Sequence, residues 1–343
     1  MGQFTTEVLA TETKVSFDHA VQTVAKILRR DEVVALPTET VYGLAGNAFQ
    51  PEAIRKIYAA KERPQTNPLI VHVAGWAMVE RCVREWTESA AQLTRAFWPG
   101  PLTVVLQRSD LIPDEITAGG DTVAIRWPSH PVMQAVIEEC GFPLAAPSAN
   151  RSNELSPTQA QHVLSQLSGA IPLVVDGGHC VVGIESTVVD LVGRPARVLR
   201  PGMIHTNALS VATPGIEWAG SDDGSGRRSI LRSPGMTARH YSPKARLVVE
   251  RWEDRMGFDD AVRRLGKPRS AISVIAYNVI PEVYGFCWVS LVPHNSEAYA
   301  RALFSELHLC DASGCEVILV EAPPCEVEWV GIWDRLRRAA VEG

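Results

Sequence analysis

Pro37-Thr-Glu-Thr-Val-Tyr-Gly-Leu-Ala-Gly46 and, a helix later, Lys61-Glu-Arg-Pro-Gln-Thr-Asn67-Pro-Leu-Ile-Val-His72 decide how the rest of the chain reads. The first run follows Val33-Val-Ala-Leu36, whose length and composition predict a buried strand, so Thr38 and Thr40 fall in the turn beyond its carboxyl end. Ligands of open α/β sheets bind at such ends. Pro51 suits the first position of a helix with Ile54, Ile57 and Tyr58 on its apolar face, and that helix delivers Lys61 and Arg63 just past its C-terminus. A second strand, Leu69-Ile-Val-His-Val73, follows Asn67. Two cations and an amide set among prolines read as an oxyanion grip on a loop, whose removal would empty no core. The plainer alternative is that Lys61 and Arg63 complement the helix dipole.

Outward from this stretch, strands and helices alternate. Ser16 reads as the N-cap of a helix over 16–30, Ser89 to Trp98 as another helix stopped by Pro99-Gly-Pro101, and Leu102 to Leu106 as a strand. Thr122-Val-Ala-Ile-Arg126 alternates as a half-buried strand, with Thr122, Ala124 and Arg126 on an open face. A helix over His130–Cys140 ends at Gly141, and a short strand runs into Ala146-Pro-Ser148-Ala-Asn150. A helix over Pro157–Leu167, a strand over Leu173–Asp176, Gly183-Ile-Glu-Ser186-Thr-Val-Val-Asp190 and Ala196–Arg200 complete the region. From about Thr213 to Lys244 the composition turns to Gly, Ser, Asp, Arg and Pro, and periodicity is lost, which predicts a linker. Strands near Arg246, Ala271, Cys287 and Glu316, with helices over 254–265, 296–309 and 330–340, predict a smaller, Rossmann-like α/β domain without a glycine-rich phosphate loop. The expected division is therefore 1–211, a linker over 212–244, and 245–343.

With 343 residues, 46% of them hydrophobic and 21% charged, the chain has enough material for two cored domains. A net charge of −6 without a Lys/Arg stripe argues against tight, sequence-independent nucleic-acid binding. Seven cysteines, an odd number with no Cys-x-x-Cys, argue against a disulfide framework or structural zinc and for a reducing cytoplasm. Neither a signal peptide nor a membrane-spanning run is read.

The polar residues near strand ends are Thr40, Lys61, Arg63, Asn67, His72, Thr122, Arg126, Ser148, Asn150, Ser156, Ser186 and Arg200. Hydroxyls and amides orient anions and Lys and Arg neutralise them, so this set suits phosphates and a carboxylate. It does not suit a carboxylate-pair hydrolase or a carboxylate-bound metal. Ser186 has no nucleophile-elbow setting, and in the pair His179-Cys180 strand neighbours would point to opposite faces, against a thiol nucleophile.

Taken together, Pro37–Leu44, Lys61-x-Arg63, Asn67–His72, Pro99-Gly-Pro-Leu-Thr103, Ala124-Ile-Arg126, Ala146-Pro-Ser-Ala-Asn150 and Ile184-Glu-Ser-Thr-Val188 closely resemble, in order, the YrdC-like family of L-threonylcarbamoyladenylate synthases. Ser233-Pro-Gly-Met and His240-Tyr241-Ser-Pro243, with the domain after them, resemble its long two-domain form. Two departures are Ala45-Gly46 where the family usually has Gly-Ala, and Glu62 where it usually has a small residue. The resemblance implies a twisted mixed sheet with a concave cavity, followed by the Rossmann-like domain. It implies that L-threonine, bicarbonate or CO2 and ATP, with Mg2+ arriving on ATP, give threonylcarbamoyl-AMP and pyrophosphate. A separate tRNA threonylcarbamoyl transferase would use that product. Thr40, His72, Arg126, the Ala146 backbone and Ser186 would hold threonine and its carbamate. Lys61, Arg63, Asn67, Thr122, Ser148, Asn150, Ser156, Arg200 and Tyr241 would hold ATP, Lys61 and Arg63 serving catalysis. No protein side chain is implied as a metal ligand. The stiff and aromatic residues at 233–243 suggest a lid, with anchoring to the second domain as the alternative. Two other functions compete: an RNA-binding module, and a carbamoyl transferase for metallocentre assembly, whose zinc-finger cysteine pairs are absent here.

Overall fold

The computed structural model describes residues 4–219, 241–279 and 283–340. They fall into two units, Met1–Ser152 with Pro157–Thr237, and Asn153–Ser156 with Ala238–Gly343. Of the expected linker and lid, residues 220–240, including Ser233 and His240, lie outside the described residues.

In the first unit one mixed sheet has the spatial order β1 (Glu7–Ala10), β8 (Leu173–Asp176), β2 (Val34–Leu36), β3 (Gly43–Asn47), β7 (Leu144–Ala145), β4 (Ile70–His72), β6 (Thr122–Arg126), β5 (Leu102–Gln107), β9 (Thr187–Asp190), β10 (Ala196–Arg200) and β11 (Trp218–Ala219). Alternation along the strands fills two cores. Val33 and Ala35 join Leu44, Ile54 and Ile57 on one face. Val34 and Leu36 meet Val24, Leu28, Met133 and Ile137 of helices Lys14–Leu28 and Pro131–Cys140 on the other. Because both faces are covered, the central strands are buried on both sides, and His72, Thr103, Thr122 and Arg126 are buried with them.

Several local expectations change. The first helix is capped by Thr13, whose hydroxyl accepts from Ser16 N at 3.1 Å, and Ser16 completes the capping box. The strand Gly43–Asn47 is absent from the sequence reading because its small residues carry little β propensity. They are small because helix Pro51–Lys61 packs closely: a Cβ on Gly46 would lie 3.2 Å from Ile57 Cδ1. Since β3 returns antiparallel to β2, the Thr38–Thr40 turn joins a strand pair and does not lead into a helix. Helices Trp76–Cys82 and Thr206–Ala212 also went unread, and β11 pairs in parallel with β10. The expected open face of β6 is covered, since all five of its residues are buried.

In the second unit β12 (Arg246–Glu250), β15 (Val317–Glu321), β13 (Ile272–Ala276) and β14 (Trp288–Leu291) form an all-parallel sheet in that spatial order. Helices Arg255–Arg264, Ser296–Ala312 and Val330–Ala339 accompany it. Among the described residues no helix is long and apolar enough to cross a membrane.

Candidate functional site

Register in the first sheet brings distant residues into one row. Leu144 pairs with His72, His72 with Arg126, Arg126 with Thr103, and Thr103 with Val188. Residues directly opposite across neighbouring strands share a face, so His72, Arg126 and Thr103 stand side by side. Ser186, just before β9, joins the row: its Oγ lies 2.7 Å from Thr103 Oγ1. Arg200 donates to the Ser186 carbonyl at 3.1 Å and to its hydroxyl at 3.1 Å. A residue expected at ATP thus grips one expected at threonine.

The Thr38–Thr40 turn supplies the facing wall. Thr38 Oγ1 accepts from the amides of Thr40 (3.1 Å) and Val41 (3.2 Å) and donates to Val41 O (2.6 Å), which fixes the turn. Thr40 Oγ1 accepts from Arg126 Nη1 at 2.9 Å and lies 2.9 Å from Thr38 Oγ1. Tyr42, fully buried, ties the turn to the loop after β8 by donating to Gly178 O at 2.7 Å and accepting from Gly177 N at 3.2 Å.

Arg126 also faces Glu39, a residue inside the quoted motif to which the sequence reading gave no role. Arg126 Nη2 and Glu39 Oε1 are 2.8 Å apart, and both side chains are 4% exposed. The charges meet without a well-directed hydrogen bond: Arg126 Nη2 and both Glu39 oxygens are buried and have none. His72 Nδ1 and Asn67 Oδ1 are in the same state. Buried polar atoms are nearly always paired, so the unmet atoms of Glu39, Arg126 and His72, neighbours in this row, mark a place built for a ligand.

Behind the row lies a second set. Gly43 bridges Ser148, and Leu44 N donates to Pro147 O at 2.8 Å. A Cβ on Gly43 would come 3.2 Å from that of Ala146, so glycine permits the approach. Lys61 Nζ donates to the carbonyls of Ser148 (2.5 Å) and Asn150. Arg63 donates to the carbonyls of Asn67 (3.3 Å) and Pro68 (3.1 Å), and Tyr58 OH donates to Asn67 O at 2.9 Å. Lys61, 1% exposed, is the last helical residue and Arg63 is 7% exposed, so neither is a loop cation whose loss would empty no core. Glu62 caps the helix in the left-handed conformation (φ 52°) and turns its carboxylate outward to Arg151, 2.7 Å away, so its charge leaves the grip.

Thr122 sits at the far end of β6 from Arg126, buried opposite Gln107. Ser156 and Tyr241 belong to the second unit. There the Ser156 carbonyl accepts from His308 Nε2 at 3.1 Å. The Tyr241 ring, 1% exposed, packs 5.7 Å from Phe304 and under the Arg335 guanidinium. Cys180 lies in a loop and not on a strand, and burial pushes its thiol far up, which removes it as a nucleophile. A cavity of about 380 Å³ lined by Thr87, Leu191, Arg194 and Glu217 contains none of the expected site residues.

Burial first, and then the Arg126 cation, lower the His72 pKa to about 3, so its ring is neutral. Because the folded value lies below the unfolded one, only the unfolded chain binds this proton between about pH 6.5 and the folded value. Stability from this group is therefore complete above that window and is lost as pH falls through it. The stability difference between the wild type and His72→Gln is expected to change by up to about 1.4 kcal/mol per pH unit from pH 6 to pH 4, in urea titrations. A difference that does not vary with pH would contradict a neutral, buried His72.

A family model named for Sua5, YciO and YrdC and described as "Telomere recombination" matches residues 26–202, and one described as "Threonylcarbamoyl-AMP synthase, C-terminal domain" matches residues 203–341. The threonylcarbamoyl-AMP synthase of Pyrococcus abyssi is 37% identical over 92% of this chain and 92% of its own length. That of Bacillus subtilis is 37% identical over 94% and 93%. The crystal structure of P. abyssi Sua5 complexed with L-threonine superposes with a TM-score of 0.87 at 35% identity, covering 98% of each chain.

Proposed function

Since the chain belongs to the Sua5/YrdC family of threonylcarbamoyl-AMP synthases, we propose that its first unit carries out that synthesis, from L-threonine, CO2 or bicarbonate, and ATP. The observation that carries the reading is the buried guanidinium of Arg126, in register with His72 and beside Thr40, at the centre of the unmet polar atoms. A guanidinium in that setting suits the α-carboxylate of an amino acid, and the similar P. abyssi protein is recorded with L-threonine.

In this reading Thr40, His72, Arg126, the Ala146 backbone and Ser186 hold threonine. Lys61, Arg63, Asn67, Thr122, Ser148, Asn150 and Arg200 form the ATP side. The threonine amine adds to CO2 and loses a proton, giving a carbamate. A carbamate oxygen then bonds to the α-phosphorus as the bond from that phosphorus to pyrophosphate breaks. Alignment and charge neutralisation account for the acceleration, Lys61 and Arg63 supplying fixed positive charge near the phosphates. Magnesium enters as MgATP, because cations, amides and hydroxyls on this side match phosphate oxygens and not a metal. The product goes to a separate tRNA threonylcarbamoyl transferase. A cytoplasmic location accords with seven free thiols.

The test is the fate of labelled bicarbonate. With ATP, magnesium and L-threonine, 13C from bicarbonate is expected in a threonine-containing adenylate detected by mass spectrometry. An adenylate of threonine without the label would show direct activation of the amino acid, and the reading would fall.

A further inference from the structure

We propose that Glu39 receives the α-ammonium group of the amino-acid substrate, next to Arg126, which receives its carboxylate. This rests on the amino-acid reading of the pocket. Glu39 is 3% exposed, and neither carboxylate oxygen has a hydrogen bond. Among the described residues it is the only acidic side chain with both oxygens buried and unbonded. A buried carboxylate left so is costly unless a donor arrives with the ligand.

None of its neighbours hydrogen-bonds it. Thr38 gives its hydroxyl proton to Val41 O, and the Thr40 hydroxyl faces Thr38 Oγ1 at 2.9 Å. Arg126 spends Nη1 on Thr40 and Nε on Gly100 O, while Nη2 lies near Glu39 without bonding it. Two opposite charges thus lie 2.8 Å apart, each with unused capacity. An α-amino acid carries ammonium and carboxylate on one carbon and can bridge such a pair, donating to one side and accepting from the other. A purely structural ion pair would be expected to satisfy its own bonds. Glu39 therefore makes the pocket selective for an α-amino group, and the ammonium passes one proton to the Glu39 carboxylate before its nitrogen, now neutral, adds to CO2.

Calorimetry with L-threonine and (3R)-3-hydroxybutanoate tests this, since the second ligand keeps the carboxylate, hydroxyl and methyl and lacks only the amine. The wild type is expected to prefer threonine by about tenfold or more, the range of a charge-assisted hydrogen bond. In Glu39→Gln that preference should shrink to about twofold or less, with the analogue binding at least as well as to the wild type because Arg126 is released. Equal losses for both ligands in the variant would make Glu39 a structural partner of Arg126 and overturn the proposal. Equal affinity for both in the wild type would overturn it without any variant. Absence of threonine binding to the wild type would overturn the amino-acid reading itself.

Discussion

Arg126→Ala is expected to lower L-threonine affinity by roughly ten- to a hundredfold and, at the same time, to destabilise the first unit by about 3–5 kcal/mol. The binding loss follows from removing a charge-assisted partner of the carboxylate. The stability loss follows from burial: Arg126 and Glu39 are both 4% exposed, so truncating the cation strands an anion in the interior. The two effects separate in the double variant Arg126→Met/Glu39→Gln, which removes both charges and keeps most of the volume. Replacing a whole buried pair is often nearly neutral, so the urea midpoint should recover while threonine binding does not. If ATP affinity falls more than threonine affinity in Arg126→Ala, Arg126 belongs to the phosphate side.

Lys61→Ala should be as severe, for a different reason. Lys61 is among the largest fully buried side chains, and its ammonium satisfies the carbonyls of Ser148 and Asn150. Truncation leaves those acceptors buried, at about 1–3 kcal/mol each, and opens a cavity beside them. The turn bearing the Ser148 hydroxyl and the Asn150 amide loses its anchor, so ATP binding should fail together with stability. Lys61→Arg keeps a donor but forces a larger, planar head into the same space, and should recover little. Calorimetry with ATP and urea titration check both; near-normal ATP affinity in Lys61→Ala would remove Lys61 from the nucleotide side.

Much of the fold was legible because it rests on local signals. The apolar run at Val33–Leu36, the alternation in Thr122–Arg126 and the helical period before Lys61 all mark elements that formed, the strands within a residue or two. What stayed hidden depends on partners far along the chain. Gly43–Asn47 is a strand because a helix lies against Gly46 and Ser148 bridges Gly43. No short window of sequence contains those contacts. The candidate site divides in the same way. Thr40, His72, Arg126 and Ser186 stand out by residue type at strand ends, and register sets His72, and a hydrogen bond Thr40, beside the Arg126 guanidinium. Glu39 was visible between two threonines, but its significance comes from Arg126, 87 positions later, and from burial. Thr103 likewise matters only through its contact with Ser186 across two strands. The place of Lys61 in the core is not legible because a lysine ending a helix is normally solvated, and only the neighbouring carbonyls make it internal.

The central claim, that this chain couples threonine, CO2 and ATP in a single site, is tested most directly by pyrophosphate release. With MgATP present, omission of either L-threonine or bicarbonate should abolish release, and supplying both should restore it. Release of comparable size with threonine alone, or with bicarbonate alone, would contradict the account.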